Sequence, residues 1–406
     1  MEKPELKSHQ KIGQELDLFF MQKDVGSGLP LFTPKGATIK RIIERFITDE
    51  ELKKGYEFTS TPIMAKSDLY KISGHWEHYQ DSMFVLKVGN ETFALRPMTC
   101  PFQFMVYKNK PRSYKELPIK YAEISSLFRN EQSGELMGLT RVRQFTLADA
   151  HIICEPKQLE DEFEKVLRLV EKIMKIFKID DVWYRFSKWD PKNKEKYIDN
   201  PVAWENSQVT MKKILDKLKV KYTEADNEAA FYGPKLDIQF KNIFGKEDTL
   251  ITIQIDFDLP ERFKLKYIGE DSKEHTPMII HRSSIGCIER TLAYLLEKTQ
   301  GKLPLWLSPV QVKIANFTDR NIESCKNLAE KLKENGIRAE VDFNATTMSS
   351  KVMKFVSEKV PYIVVIGDKE EKENSVSVRK RGERKIEQFS QEDFIKNILK
   401  EIEEKE

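Results

Sequence analysis

The chain has 406 residues, 40% of them apolar and 33% charged, and a formal net charge of +3. This apolar content excludes a disordered chain, and no run approaches the roughly 20 apolar residues of a membrane-spanning helix. The length provides for two or three domains, and the near-neutral total neither requires nor excludes a nucleic-acid partner, because a local basic face matters more.

The N-terminal stretch "MEKPELKSHQKIGQELDLFF" is charged and does not read as a signal peptide. Cys100, Cys154, Cys287 and Cys325 lie far apart with no CxxC pair. That pattern excludes a zinc ribbon or a thioredoxin-like site and suits a reducing, cytoplasmic compartment.

Helical periodicity predicts long helices at about 37–54, 157–178, 203–219 and 284–299. Strand-like runs fall between them. "LDIQFKNIFGKEDTLITIQIDFDL" reads as two strands around Gly245, and strands joined by tight turns predict an antiparallel sheet. The chain has no GxGxxG and no GxxxxGK[ST], so a nucleotide would have to be held by side chains.

Pro304 and Pro309 punctuate a change of pattern, which places a domain boundary at about 300–307. Beyond it the order reads strand, helix, strand, helix, strand, strand, helix. "DRNIESCKNLAEKLKEN" starts at Asp319 as a helix cap and ends at Gly336. "MSSKVMKFVSEKV" stops before Pro361. This predicts a small, largely parallel or mixed sheet covered by helices, so the fold class is α/β (α+β).

The richest stretch is "RVRQFTLADAHIIC", residues 141–154. As a strand it presents Arg141, Arg143, Phe145, Leu147, Asp149 and His151 on one face. The other face carries Val142, Gln144, Thr146, Ala148, Ala150, Ile152 and Cys154. The first face is chemically varied, offering cations for phosphates, a ring for stacking, an acid and an imidazole. The second suits burial, and parity separates Cys154 from His151. By spacing alone His151 reads first as a satisfied core histidine and second as a ligand.

Upstream, "LFRNEQSGELMGLTRVRQF" is similar to motif 2 of the class II aminoacyl-tRNA synthetases. "GYEFTSTPIM" with Pro62 resembles their motif 1, a dimer element, and "GCIERTLAYLLE" with Arg290 resembles motif 3. "LRPMTCPFQF", "ADAHIIC", "AFYGPKLDI", "QIDFDLPERF" and "MIIHRSSIGCIER" resemble the threonyl-tRNA synthetase family, and the resemblance runs from about residue 8 to the end.

The resemblance implies a class II antiparallel sheet flanked by helices at 1–303, then an anticodon-binding domain at 304–406. It implies ATP-dependent activation of L-threonine and transfer to tRNA(Thr), with Mg²⁺ accompanying ATP. Arg129 would bridge the α-phosphate and the substrate carboxylate, a role suited to its planar fork. Glu131 would bind the adenine amino group. Phe145 and Arg290 would sandwich the base, and Arg141 would reach the outer phosphates.

Zinc in that family takes one Cys and two His, which fall here on Cys100, His151 and His281. Three ligands leave a position for the substrate's amino and hydroxyl groups. Asp149, Tyr232, Lys235 and Gln254 fall on further pocket positions. His75 matches a histidine near the terminal ribose of tRNA, and Glu370 and Arg379 match positions that read the anticodon. A homodimer through motif 1 is also implied.

The chain departs from the family pattern at Leu147 and Thr249, where Gln is usual, and at Cys287, where Ser is common. "FNATTMSSKVM" replaces a more polar anticodon-contacting run. The resemblance begins at the catalytic core and implies no N-terminal editing region, so Ser-tRNA formation is expected uncorrected unless a separate editing protein clears it. The rival readings are a paralogue that activates another β-hydroxy or small amino acid, and a tRNA-binding regulator that charges nothing.

Overall fold

The protein is described from a computed structural model covering residues 6–405. The first five residues of the N-terminal stretch and the last residue of the C-terminal domain lie outside the described residues. The chain divides into two compact units. One gathers the described residues up to Phe20, Leu31–Ile43 and those from Leu295 onward; the other gathers Met21–Pro30 and Glu44–Tyr294.

The larger unit is built on eight strands: β1 (Glu57–Phe58), β2 (Ile119–Phe128), β3 (Gln144–Cys154), β4 (Val182–Ser187), β5 (Tyr222–Ala225), β6 (Lys235–Lys241), β7 (Glu247–Asp256) and β8 (Met278–Cys287). Their order across the sheet is β5-β4-β6-β7-β8-β3-β2-β1. The pairings are antiparallel except at the two edges, where β5 runs parallel to β4 and β1 to β2. This is the antiparallel sheet expected from the hairpin-like turns. The β6–β7 hairpin turns at Gly245, where the Asn242 side chain accepts from the amides of Phe244 and Lys246.

Helix Leu159–Ile176 packs against β8 and β3. Its apolar residues recur at helical spacing, so Phe163, Val166, Val170 and Ile173 are buried together. Glu160, Asp161 and Glu162 fill its first turn, where the helix dipole favours negative charge. The small and apolar side chains of β3, Ala148, Ala150, Ile152 and Cys154, are fully buried. That placement leaves the opposite face of β3 for chemistry.

Two expectations need correction here. The strand begins at Gln144, not Arg141; Arg141 forms an isolated bridge with Met137, and residues 142–143 are irregular. The predicted helix at about 284–299 is observed as Ile288–Thr299, because β8 continues to Cys287. Gly286 explains the switch. It adopts φ +78°, and a Cβ there would lie 1.9 Å from the Leu250 carbonyl oxygen. The chain bulges between Ser283 and Cys287 and then enters the helix that carries Arg290.

The smaller unit holds a five-stranded sheet: β9 (Val312–Asn316), β10 (Ala339–Asp342), β11 (Tyr362–Ile366), β12 (Ser375–Lys380) and β13 (Glu387–Ser390), in the order β10-β9-β11-β12-β13. The β9 pairings are parallel and those of β12 antiparallel, so the sheet is mixed. Val312, Ile314, Leu328, Leu332, Val364 and Phe394 belong to its core.

Helix Asp368–Glu373 and strand β13 were not expected. The first has no apolar period and is held by capping: Glu370 accepts from the Gly367 amide. The second is a half-exposed edge strand. Asp319 is not the cap of helix Ile322–Glu334. Thr318 precedes a short 3-10 turn at Asp319–Asn321, and the Thr318–Asn321 pair closes that turn. Among the described residues no helix is long and apolar enough to cross a membrane.

Candidate active site

β3, β7 and β8 form the floor of a cleft of about 280 Å³. From β3 come Phe145, Leu147, Asp149 and His151, the alternate residues that the strand pleat turns to one side. From β7 come Thr249, Thr252 and Gln254; from β8 come His281, Ser283 and Cys287. The rim supplies Arg129, Glu131, Arg141 and Arg290. Arg143, predicted on the same face as Phe145, is absent from this lining. It donates instead to the Glu131 backbone carbonyl.

At one end Cys100, His151 and His281 converge, their ligand atoms all within 4.8 Å of one another. Cys100 opens helix Cys100–Lys108, while His151 and His281 are direct partners across the β3–β8 pair. Their rings lie 4.6 Å apart at 89°. All three residues are buried. Burial holds the His151 imidazole well below its usual range, hence neutral and able to offer a lone pair. Burial, followed by Asp149 and Asp256, pushes the Cys100 thiol well up, a cost that a bound cation reverses. One thiol and two imidazoles in a buried trio with an open side fit zinc.

The walls next to this cluster are polar. Tyr232 stacks on His281 at 4.9 Å, and its hydroxyl donates to Gln254 Oε1. Asp149 is buried, and that burial raises its carboxyl to about 6 against the pull of Thr99 and His281. The other end of the cleft is cationic. Arg129 lies 5.1 Å from the Phe145 ring centroid. Arg290 donates to the Thr249 carbonyl at 2.6 Å and the Thr140 carbonyl at 3.0 Å. Arg141 and Glu131 are paired at 2.9 Å, so each now occupies the other.

Two expected residues of the larger unit lie outside the cleft lining. The Lys235 Nζ sits 3.2 Å from Asp237. His75 is fully buried against Phe231, with Nδ1 2.6 Å from Ser73 Oγ and Nε2 without a hydrogen-bond partner. Glu370 and Arg379 meet in the smaller unit, on a cavity of about 850 Å³ also lined by exposed Phe317, Met353 and Ile386. There Glu370 accepts from Ser377 Oγ at 2.8 Å, and Arg379 donates to the Glu383 carbonyl at 2.9 Å.

Sequence reasoning passed over Gln103 and Asp256. Gln103 Oε1 lies 2.5 Å from His151 Nδ1, and Asp256 Oδ2 lies 2.7 Å from His281 Nε2. Spacing carried a signal for both. Gln103 is one helical turn after Cys100, and Asp256 is two strand positions after Gln254.

Comparison with known proteins decides the family. The family model of the tRNA synthetase class II core domain (G, H, P, S and T) matches residues 84–299, and that of an anticodon binding domain matches 309–401. The chain belongs to the class II tRNA synthetase family. It is similar to the threonine--tRNA ligase of Clostridium perfringens, 53% identical over 410 residues, covering 100% of this chain and 64% of that protein. The threonine--tRNA ligase of Listeria monocytogenes is 47% identical over 398 residues, covering 98% of this chain and 62% of that protein. This class II chain thus spans about 64% of the length of the clostridial relatives it matches. A solved structure of the RNA binding domain of threonyl-tRNA synthetase from Cryptosporidium parvum is similar with a TM-score of 0.92. The identity is 33%, covering 97% of this chain and 98% of that one.

Proposed function

We propose that the chain is a threonyl-tRNA synthetase: it joins L-threonine to ATP as threonyl-adenylate and transfers the acyl group to tRNA(Thr). One observation carries this reading. A single cleft holds a Cys100–His151–His281 cluster with Asp149 at one end and Arg129, Phe145 and Arg290 at the other. The relatives that share the whole chain are threonine--tRNA ligases.

In the first step a carboxylate oxygen of threonine attacks the α-phosphorus. The bond from the α-phosphorus to the oxygen bridging to the β-phosphate breaks, and pyrophosphate leaves. Arg129 holds the two anionic reactants together and stabilises charge on the α-phosphate. Phe145 and Arg290 hold adenine between them. ATP opens the Arg141–Glu131 pair: Arg141, nearly half exposed, turns to the outer phosphates and frees Glu131 for the adenine amino group. Lys235 reaches the phosphates only by leaving Asp237.

Cys100, His151 and His281 would hold zinc, which would supply a Lewis-acid position for the amino and hydroxyl groups of threonine that valine would not fill in the same way. Asp149 accepts from the substrate hydroxyl, and Tyr232 and Gln254 close the wall beside it. His75, behind Tyr232, serves proton movement during acyl transfer.

The catalytic domain is assigned to 1–303 and the anticodon-binding domain to 304–406, with Glu370 and Arg379 reading bases. A homodimer through the Pro62 region is supported by exposed Met64, Val85 and Val88 on a three-stranded sheet there, with exposed Ile63 just before it. Free cysteines suit a cytoplasmic enzyme.

Pyrophosphate exchange across a panel of amino acids, with metal content measured on the same sample, tests this function. Threonine-dependent exchange with about one zinc per chain is expected. Exchange with a different amino acid, or with none, rejects it.

A further inference from the structure

The two histidines of the cluster are held by their outer nitrogens, and by opposite ones. His151 meets Gln103 Oε1 through Nδ1 at 2.5 Å, whereas His281 meets Asp256 Oδ2 through Nε2 at 2.7 Å. A neutral imidazole carries one N–H and one lone pair, so whichever nitrogen donates determines which remains to bind a metal.

Each partner is itself oriented. Gln103 is fully buried, and its Nε2 donates to Thr59 Oγ1 at 2.8 Å. The Thr59 hydroxyl is committed elsewhere, facing Glu123 Oε2 at 3.1 Å and the Ala122 carbonyl at 3.3 Å, both acceptors. Glu123 is held in turn by Arg96 at 2.8 Å. A reversed Gln103 amide would take the Thr59 proton and leave two oxygens facing one another at Glu123. The relay therefore runs one way, and Gln103 presents its carbonyl oxygen to His151.

Asp256 is also fully buried. Its Oδ1 accepts from the amides of Asp258 and Leu259, both at 2.9 Å, leaving Oδ2 for His281 alone.

We propose that Gln103 and Asp256 are positioning residues that set opposite tautomers. They leave Nε2 of His151 and Nδ1 of His281 as the paired lone pairs beside Cys100. This rests on the zinc reading of the cluster. Opposite tautomers let two rings from directly facing strand positions, at right angles to each other, aim different nitrogens at one point. Residues that orient metal-binding histidines commonly change metal affinity 10–100-fold when lost.

The test uses the full chain. With ¹⁵N-labelled histidine, and the six histidines assigned by single replacements, the metal-free protein is expected to show His151 protonated at Nδ1 and His281 at Nε2. Gln103→Met, of matched length without the carbonyl, is expected to mix the His151 tautomers and leave His281 unchanged. Asp256→Asn, whose single oxygen cannot serve both His281 and the two amides, is expected to do the reverse. In chelator competition each variant should bind Zn²⁺ about 10–100-fold more weakly than the parent. Both rings in one tautomer, or both variants within twofold of parental affinity, would overturn the proposal. A parent without zinc, or Cys100→Ser with parental affinity, overturns the metal reading and this proposal with it. The ring states themselves are read on the unmodified chain, and replaced chains serve only to assign the signals.

Discussion

Leu147 and Cys287 are direct partners across the β3–β8 pair, although the Ser283–Asp149 pairing just above would have placed residue 285 there in a regular ladder. The bulge at Gly286 brings them together. Both line the cleft, and both pack on the cluster of Leu127, Val142 and Phe145. Two residues that depart from the family pattern are therefore neighbours in the ladder and share one apolar cluster. Where the resemblance implies a polar pair, an isobutyl group and a thiol pack on Phe145, the ring proposed for adenine.

Leu147→Ala should cost about 1–2 kcal/mol of stability, less than a fully buried leucine because the side chain is half-buried. It should also raise KM for ATP several-fold by loosening Phe145. The double variant with Cys287→Ala should be non-additive by about 0.5 kcal/mol or more. Urea unfolding of the four proteins in the cycle measures this. Strict additivity would mean the contact carries no energy.

Arg129 stands between the phosphate and carboxylate charges in the proposed first step. Arg129→Ala should lower kcat of threonine-dependent pyrophosphate exchange by about 10²–10³. Arg129→Lys should retain part of the charge effect but lose the two-pronged geometry, and so fall between. Exchange assays at saturating ATP read the difference, and equal rates for lysine and arginine would reject the bridging role.

The Cys287 thiol is pushed up to about 12 by burial first and by Glu289 second. At pH 8 only about one molecule in 10⁴ then carries the reactive thiolate. Alkylation of Cys287 by iodoacetamide should be slow at pH 8 and rise about tenfold per pH unit while the fold persists. Peptide mapping by mass spectrometry follows the site, and rapid modification at pH 7 would contradict the expected environment.

Gly286→Ala should be among the most damaging single-methyl additions in the chain. The new Cβ would collide with a backbone oxygen, and φ +78° is itself unfavourable for alanine. A loss of about 2–4 kcal/mol is expected. The same change at Gly245, whose Cβ would meet nothing within 4 Å, should cost less. Denaturant midpoints of the two variants compare them directly.

Much of this protein was legible in the amino-acid order. Alternation along 145–151 sorted Phe145, Leu147, Asp149 and His151 onto one face and sent Cys154 to the other, because a strand's pleat has a strict period of two. Helical periodicity placed the long helices to within a few residues. The short capped helix at Asp368–Glu373 escaped because capping, not an apolar period, holds it.

What spacing could not supply is register. His151 and His281 are 130 positions apart by number, and nothing local makes them partners. The antiparallel pairing of β3 with β8 does so, and helix Cys100–Lys108 then brings a thiol to the same point. The hydrogen bonds of Gln103 and Asp256 are likewise long-range products of packing. Local order determines which way each side chain points along its own strand or helix. Only the packed sheet decides which of them meet, because that depends on contacts between segments whose separation along the chain carries no geometric information.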